Sequence, residues 1–159
     1  MTEQQDKAFM SEALNLAQRG IELGDGGPFG AVVVVDGQII GRGWNQVVKL
    51  NDPTAHAEML AIRDACTHVN SFHLPGSILY TTCEPCPMCL SAVYWAHIEQ
   101  LVYAAAAADA AAIGFSDSDI KTELEKPSAE RLIVARQYQR QRGLALFRQW
   151  QASESRINY

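Results

Sequence analysis

The stretch from Ser77 to Ala105 constrains this chain more than any other part of it. Ser77 to Thr82 (SILYTT) has the apolar and β-branched make-up of a buried strand. Pro85 can open a helix reaching about His97, and Leu101 to Ala105 forms a second apolar strand. Strand, helix and strand in that order imply a parallel crossover, because parallel neighbours cannot be joined by a tight turn. Upstream, Ala31 to Val35 (AVVVV) is too apolar for a surface strand. Asp36-Gly37 supplies the positive φ angles of a tight turn, and Gln38 to Gly43 (QIIGRG) returns as the second strand of a hairpin. With Glu130 to Ala135 expected as a short edge strand, the pattern predicts an α/β fold, a three-layer α/β/α sandwich on a mixed five-stranded sheet.

The helices follow from spacing. Between Asp6 and Leu23, Phe9, Ala13, Leu16, Ala17 and Ile21 recur every three or four residues, as one buried stripe requires. Asn51-Asp52-Pro53-Thr54 reads as a helix start, with Asp52 or Thr54 as cap and Pro53 in the first turn, and that helix runs to about Val69. Leu144 to Trp150 is expected as a terminal helix. The Gly24 to Pro28 loop lacks both the dinucleotide fingerprint and a following Gly-Lys-Ser/Thr, so it is not a phosphate cradle.

A length of 159 residues, 48% of them apolar, predicts a single domain over 1–159 with its own core. The net charge of −5 argues against dedicated nucleic-acid binding. Apolar runs stay well short of the ~18 residues of a membrane span. The first ten residues lack the basic start and apolar centre of a secretory signal, so the expected location is the cytoplasm. Cys83, Cys86 and Cys89 recur every third residue, which suits a shared metal better than disulfides, and Cys66 lies on an apolar helix face as a small hydrophobe.

The chemistry concentrates in His56-Ala57-Glu58 and Pro85-Cys86-Pro87-Met88-Cys89, each placed where a helix begins. Cys86 and Cys89 are i and i+3, so both sulfurs can reach one ion, and a neutral His56 can supply a third ligand. Three protein ligands leave a fourth position open, the arrangement with which zinc lowers the pKa of water. Glu58 is then the group that moves protons between water and substrate. Residues i and i+2 diverge on a regular helix, so His56 and Glu58 must converge through the local geometry of the helix start. Taken singly, His56 is as easily a structural histidine, Glu58 a solvated helix residue, and the cysteine pair half of a closed zinc site completed by Cys83. The closed site leaves Glu58 without a task.

At these residues the chain resembles the cytidine deaminase superfamily. GGPFGAVVV, NDPTAHAE, LYTTCEPCPMCLSAVYWA, the DAAAIGFSDS stretch and the C-terminal Tyr159 are similar, more narrowly, to its bacterial guanine deaminases. The likeness spans nearly the whole chain, and GFSDS and Tyr159 lie outside the zinc motif common to the superfamily. Ser116 and Asn158 depart from it, since members often carry an acidic residue at the first position and a charged one at the second. The resemblance implies the cytidine deaminase-like fold, one catalytic Zn2+ per subunit on His56, Cys86 and Cys89, and hydrolysis of guanine to xanthine and ammonia by attack at C2. It implies that Glu58 shuttles the proton and that Asp117 assists as the amino group departs. Asn45 and the Ala57 amide would bind polar ring edges, Asp117 would accept from the amine and ring N–H, and Phe29 and Trp95 would form apolar walls. It implies finally a homodimer exchanging C-terminal segments, about residues 136–159, so that Tyr159 closes the partner's pocket.

Other readings remain open at this level. A tRNA adenosine deaminase would share the zinc site and could use Arg131, Arg136, Arg140, Arg142 and Arg148 on phosphates, although spaced arginines are more often a solvated face. Guanosine, another aminopurine or an aminotriazine needs only a different pocket mouth. A structural-zinc interaction module would release no ammonia.

Overall fold

The computed structural model describes residues 2–158 and divides into two compact units, 1–117 and 118–159. In the first unit, helix α1 (Glu3–Leu23) starts at Thr2, whose hydroxyl accepts from Gln5 N–H while the Gln5 side chain reaches back to the Thr2 N–H. It is followed by β1 (Gly30–Val35), β2 (Gln38–Trp44), the short α2 (Val47–Leu50), α3 (Ala57–Val69), β3 (Ile78–Cys83), α4 (Pro87–Trp95), β4 (Gln100–Ala105) and α5 (Ala107–Ala112). The second unit holds α6 (Ser118–Glu125), a 3-10 turn (Ser128–Glu130) and α7 (Arg140–Gln151). Among the described residues no helix is long and apolar enough to cross a membrane.

The strands lie in the order β2-β1-β3-β4, with β1 antiparallel to β2 and β3, and β3 parallel to β4. Alternation along the strands explains the apolar runs. Ala31, Val33 and Leu79 face Ala57, Ala61, Ile62 and Ala65 of α3 and Val93 of α4, while Val32, Val34, Ile78 and Tyr80 face Phe9 and Leu16 of α1. Both faces are thus covered, and the expected hairpin, crossover and three layers are present.

The sheet has four strands among the described residues, not five. Glu130–Ala135 forms no ladder and is instead held to the segment before it. Leu132 N–H donates to the Glu123 carboxylate at 2.7 Å, and the Arg131 guanidinium donates to the carbonyls of Lys126 and Leu124. Three helix starts also move, the terminal one from the expected Leu144 to Arg140. Asp52-Pro53-Thr54 is a turn in which Asp52 Oδ1 accepts both Thr54 N–H and the Thr54 hydroxyl, so α3 begins only at Ala57. At α4, Pro87 rather than Pro85 takes the first helical position; the helix ends at Trp95, and His97 adopts a left-handed φ of 56°.

One packing contact positions the site. A Cβ on Gly41 or Gly43 of β2 would overlap the α3 backbone at Ala61 or Ala57. Glycine there, facing the small stripe Ala57, Ala61 and Ala65, lets α3 lie directly on β2. The start of α3 is thereby fixed beside the end of β2, where Asn45 follows.

Candidate active site and metal centre

His56 is the N-cap of α3 and Cys86 the N-cap of α4, both in extended conformation, and Cys89 stands in the first turn of α4. The cap conformation resolves the spacing problem posed by His56 and Glu58, since a cap residue leaves the helix in a direction that helical residues cannot take. His56 Nδ1 lies 3.6 Å from Cys86 Sγ and 3.5 Å from Cys89 Sγ. Tetrahedral zinc with ordinary Zn–S and Zn–N lengths separates such ligand atoms by about 3.6 Å. The three donors all lie within 4.8 Å of one another and are the one such group among the described residues. They therefore fit zinc.

The electrostatics agree. The Cys86 thiol is pulled down to about 4, first by a hydrogen bond from the Cys89 thiol and then by His56, while Cys89 is pushed up by the same contact and by burial. Without a cation the two sulfurs share one proton; a divalent ion supplies the charge that lets both ionise. Two helix N-termini add positive potential at the same point. His56 is raised by its bond to Cys86. Cys83 stands apart from the triad: it is buried, its thiol is raised by burial, and its Sγ contacts the Ala106 carbonyl at 3.8 Å. The described residues thus supply three donors and not the four of a closed site. Cys66 is half-buried against the core.

Glu58 is only 6% exposed, and burial pushes its carboxyl above the usual carboxylate range. Ala57 is fully buried, and as the first residue of α3 its N–H has no acceptor within the helix. Asn45 is buried, and its Oδ1 accepts from Gly27 N–H at 3.1 Å and Val47 N–H at 3.2 Å. Phe29 packs against the α3 face of the core and meets Phe115 edge-on, with ring centres 5.1 Å apart. Asp117 is half-buried two residues beyond that contact. Trp95, at the end of α4, lines an open surface depression with Ser91 and Tyr94. Tyr159 lies outside the described residues. Gly26 and Gly27, which touch Asn45, and Phe115, which meets Phe29, are additions to the residues expected from sequence; the Gly-Gly pair and the GFSDS stretch were their available signals.

Residues 3–105 match the cytidine and deoxycytidylate deaminase zinc-binding region. The chain belongs to the cytidine and deoxycytidylate deaminase family. Within this deaminase family it is similar to a guanine deaminase of Bacillus subtilis, 48% identical over 96% of this chain and 98% of that protein. An X-ray structure of guanine deaminase from the same organism superposes with a TM-score of 0.93, covering 100% of this chain and 99% of the other at 46% identity. A tRNA-specific adenosine deaminase of Aquifex aeolicus is 46% identical, but over 61% of this chain and 64% of that protein.

Proposed function

We infer that this chain is a zinc-dependent hydrolase that converts guanine to xanthine and ammonia. The likeness to the B. subtilis guanine deaminase carries this reading, because it extends through both compact units. The A. aeolicus tRNA deaminase matches over about three fifths of the chain only. In this reading residues 1–159 act as one deaminase domain.

His56, Cys86 and Cys89 hold the ion, and zinc there supplies the Lewis acidity that brings the pKa of water toward neutrality. Water adds to C2 of guanine, forming a C–O bond. Glu58 takes the proton that water loses and delivers it to a ring nitrogen. Glu58 next takes the remaining proton of the C2 hydroxyl and passes it to the amino group, assisted by Asp117, as the C2 carbonyl forms, the C2–N bond breaks and ammonia leaves. A carboxyl kept from bulk water and raised in pKa suits both transfers. Asn45 Nδ2 and the Ala57 N–H donate to acceptors on the purine edge. Asp117 accepts from the amine and a ring N–H. Phe29 and Trp95 bound the ring.

The C-terminal segment, about residues 136–159, is exchanged in a homodimer, and Tyr159 covers the partner's pocket. Two features support this. Leu132, Ile133 and Val134 are 82%, 83% and 91% exposed. Arg131, Arg136, Arg140, Arg142, Arg148 and Arg156 are accompanied after residue 130 by one acid, Glu154, in a chain of net charge −5. A cytoplasmic location suits ligand thiols that must stay reduced.

Ammonia release from guanine, guanosine, adenine, cytosine, cytidine and tRNA tests the reading. Guanine is expected to give the highest kcat/KM. A preference for tRNA, or no release from guanine, would overturn it.

A further inference from the structure

The loop between α1 and β1 is tied to the end of β2 by partly buried polar contacts that proton transfer does not use. Asp25 is 6% exposed, and its Oδ2 accepts Trp44 Nε1–H at 2.8 Å and the Lys49 ammonium at 3.1 Å. Its main chain is held as firmly: the N–H donates to Gly20 O, and the carbonyl accepts from Val48 and Lys49 N–H. Arg19 lies 5.0 Å over the Trp44 ring and Lys49 5.9 Å from it. The end of α1, the end of β2 and α2 therefore converge on one carboxylate. A buried carboxylate needs such partners to offset its lost hydration.

The next residues hold Asn45. A Cβ on Gly26 would overlap Asn45 Oδ1, so only glycine allows that approach, and Gly27 N–H bonds the same oxygen from one side while Val47 N–H bonds it from the other. A flipped amide would set its NH2 against two N–H donors. Asn45 is thereby left with Nδ2–H2 as the group available to a ligand.

We propose that Asp25 is a positioning residue that acts through Asn45: by clamping Gly26 and Gly27 to Trp44 and α2, it makes the site a donor at this point, accepting a ligand edge that carries hydrogen-bond acceptors. The proposal rests on the reading that Asn45 meets the substrate. Guanine supplies such acceptors at N3, N7 and O6.

The test uses the zinc-loaded full chain with Asp25→Ala, Trp44→Phe, Asp25→Asn and the double variant Asp25→Ala with Asn45→Ala. Asp25→Ala and Trp44→Phe are expected to raise KM for guanine about five- to tenfold with kcat within about twofold. Asp25→Asn keeps an oxygen for Trp44 and Lys49 and is expected to rescue most of that loss. In the Asn45→Ala background, Asp25→Ala is expected to add nothing, because the two act in series. Amide hydrogen exchange at Gly27 should be faster in Asp25→Ala than in wild type. An unchanged KM, or effects that multiply in the double variant, would overturn the proposal. A wild-type chain inactive on guanine would defeat the functional reading instead, and the exchange rate would then decide this inference: faster exchange supports it, and unchanged exchange overturns it.

Discussion

Glu58 stands in the first turn of α3, two residues from the His56 cap, with its carboxyl removed from water. Glutamine at this position matches the shape but cannot accept a proton. Glu58→Gln should bind zinc in the same ratio as wild type while kcat falls by about 10²- to 10⁴-fold. Metal analysis and ammonia release on the same preparations check this, and retained turnover would remove Glu58 from the proton path. Asp25 makes a separate prediction. The Trp44 indole, with Lys49 beside it, holds its carboxyl below the ordinary 3.8. A depressed folded pKa stabilises the fold above 3.8 and loses that contribution as pH falls through the lower folded value. Thermal melts from about pH 5 to about pH 2 should therefore show a shallower acid loss for Asp25→Asn than for wild type. The three-donor cluster and the placement of Glu58 at a helix start were legible in the sequence because short spacings put His56, Glu58, Cys86 and Cys89 where helices begin. The Asp25 clamp was not, because Asp25 meets Trp44 nineteen residues away, and no local pattern marks such a pair.

At the scale of elements, the hairpin and the crossover were readable because strands covered on both faces leave long apolar runs. Helix starts were not readable to the residue. Asp52 and Pro53 have the composition of a cap and first turn, yet Asp52 spends its oxygen on Thr54 within a tight turn. The missing fifth strand has a similar cause: Leu132-Ile133-Val134 carries strand-like residues, but apolar composition does not say whether a neighbouring edge is available. The contact of α3 with β2 is what carries His56 and Glu58. Gly43→Ala should force α3 away from the sheet, lowering stability by about 1–3 kcal/mol and weakening zinc binding through His56. Thermal melts and a competing chelator would measure both, and an unchanged melt would show that α3 yields without cost.

For the whole molecule, the proposed exchange of tails makes a prediction that neither subunit alone can meet. A Glu58→Gln chain keeps Tyr159, and a chain lacking Tyr159 keeps Glu58. If the tail acts in trans, coexpression of the two gives mixed dimers with one intact site, and about a quarter of wild-type activity returns. If it acts in cis, no mixture recovers. Both the tail and the clamp matter only if the three donors and Glu58 form a hydrolytic centre for guanine. The most direct measurement strips the metal from the full chain with a chelator and restores zinc stepwise while ammonia release from guanine is followed. Activity should be absent from the stripped protein and return in proportion to zinc, saturating at one ion per chain; a chain carrying one zinc that releases no ammonia from guanine would contradict the account.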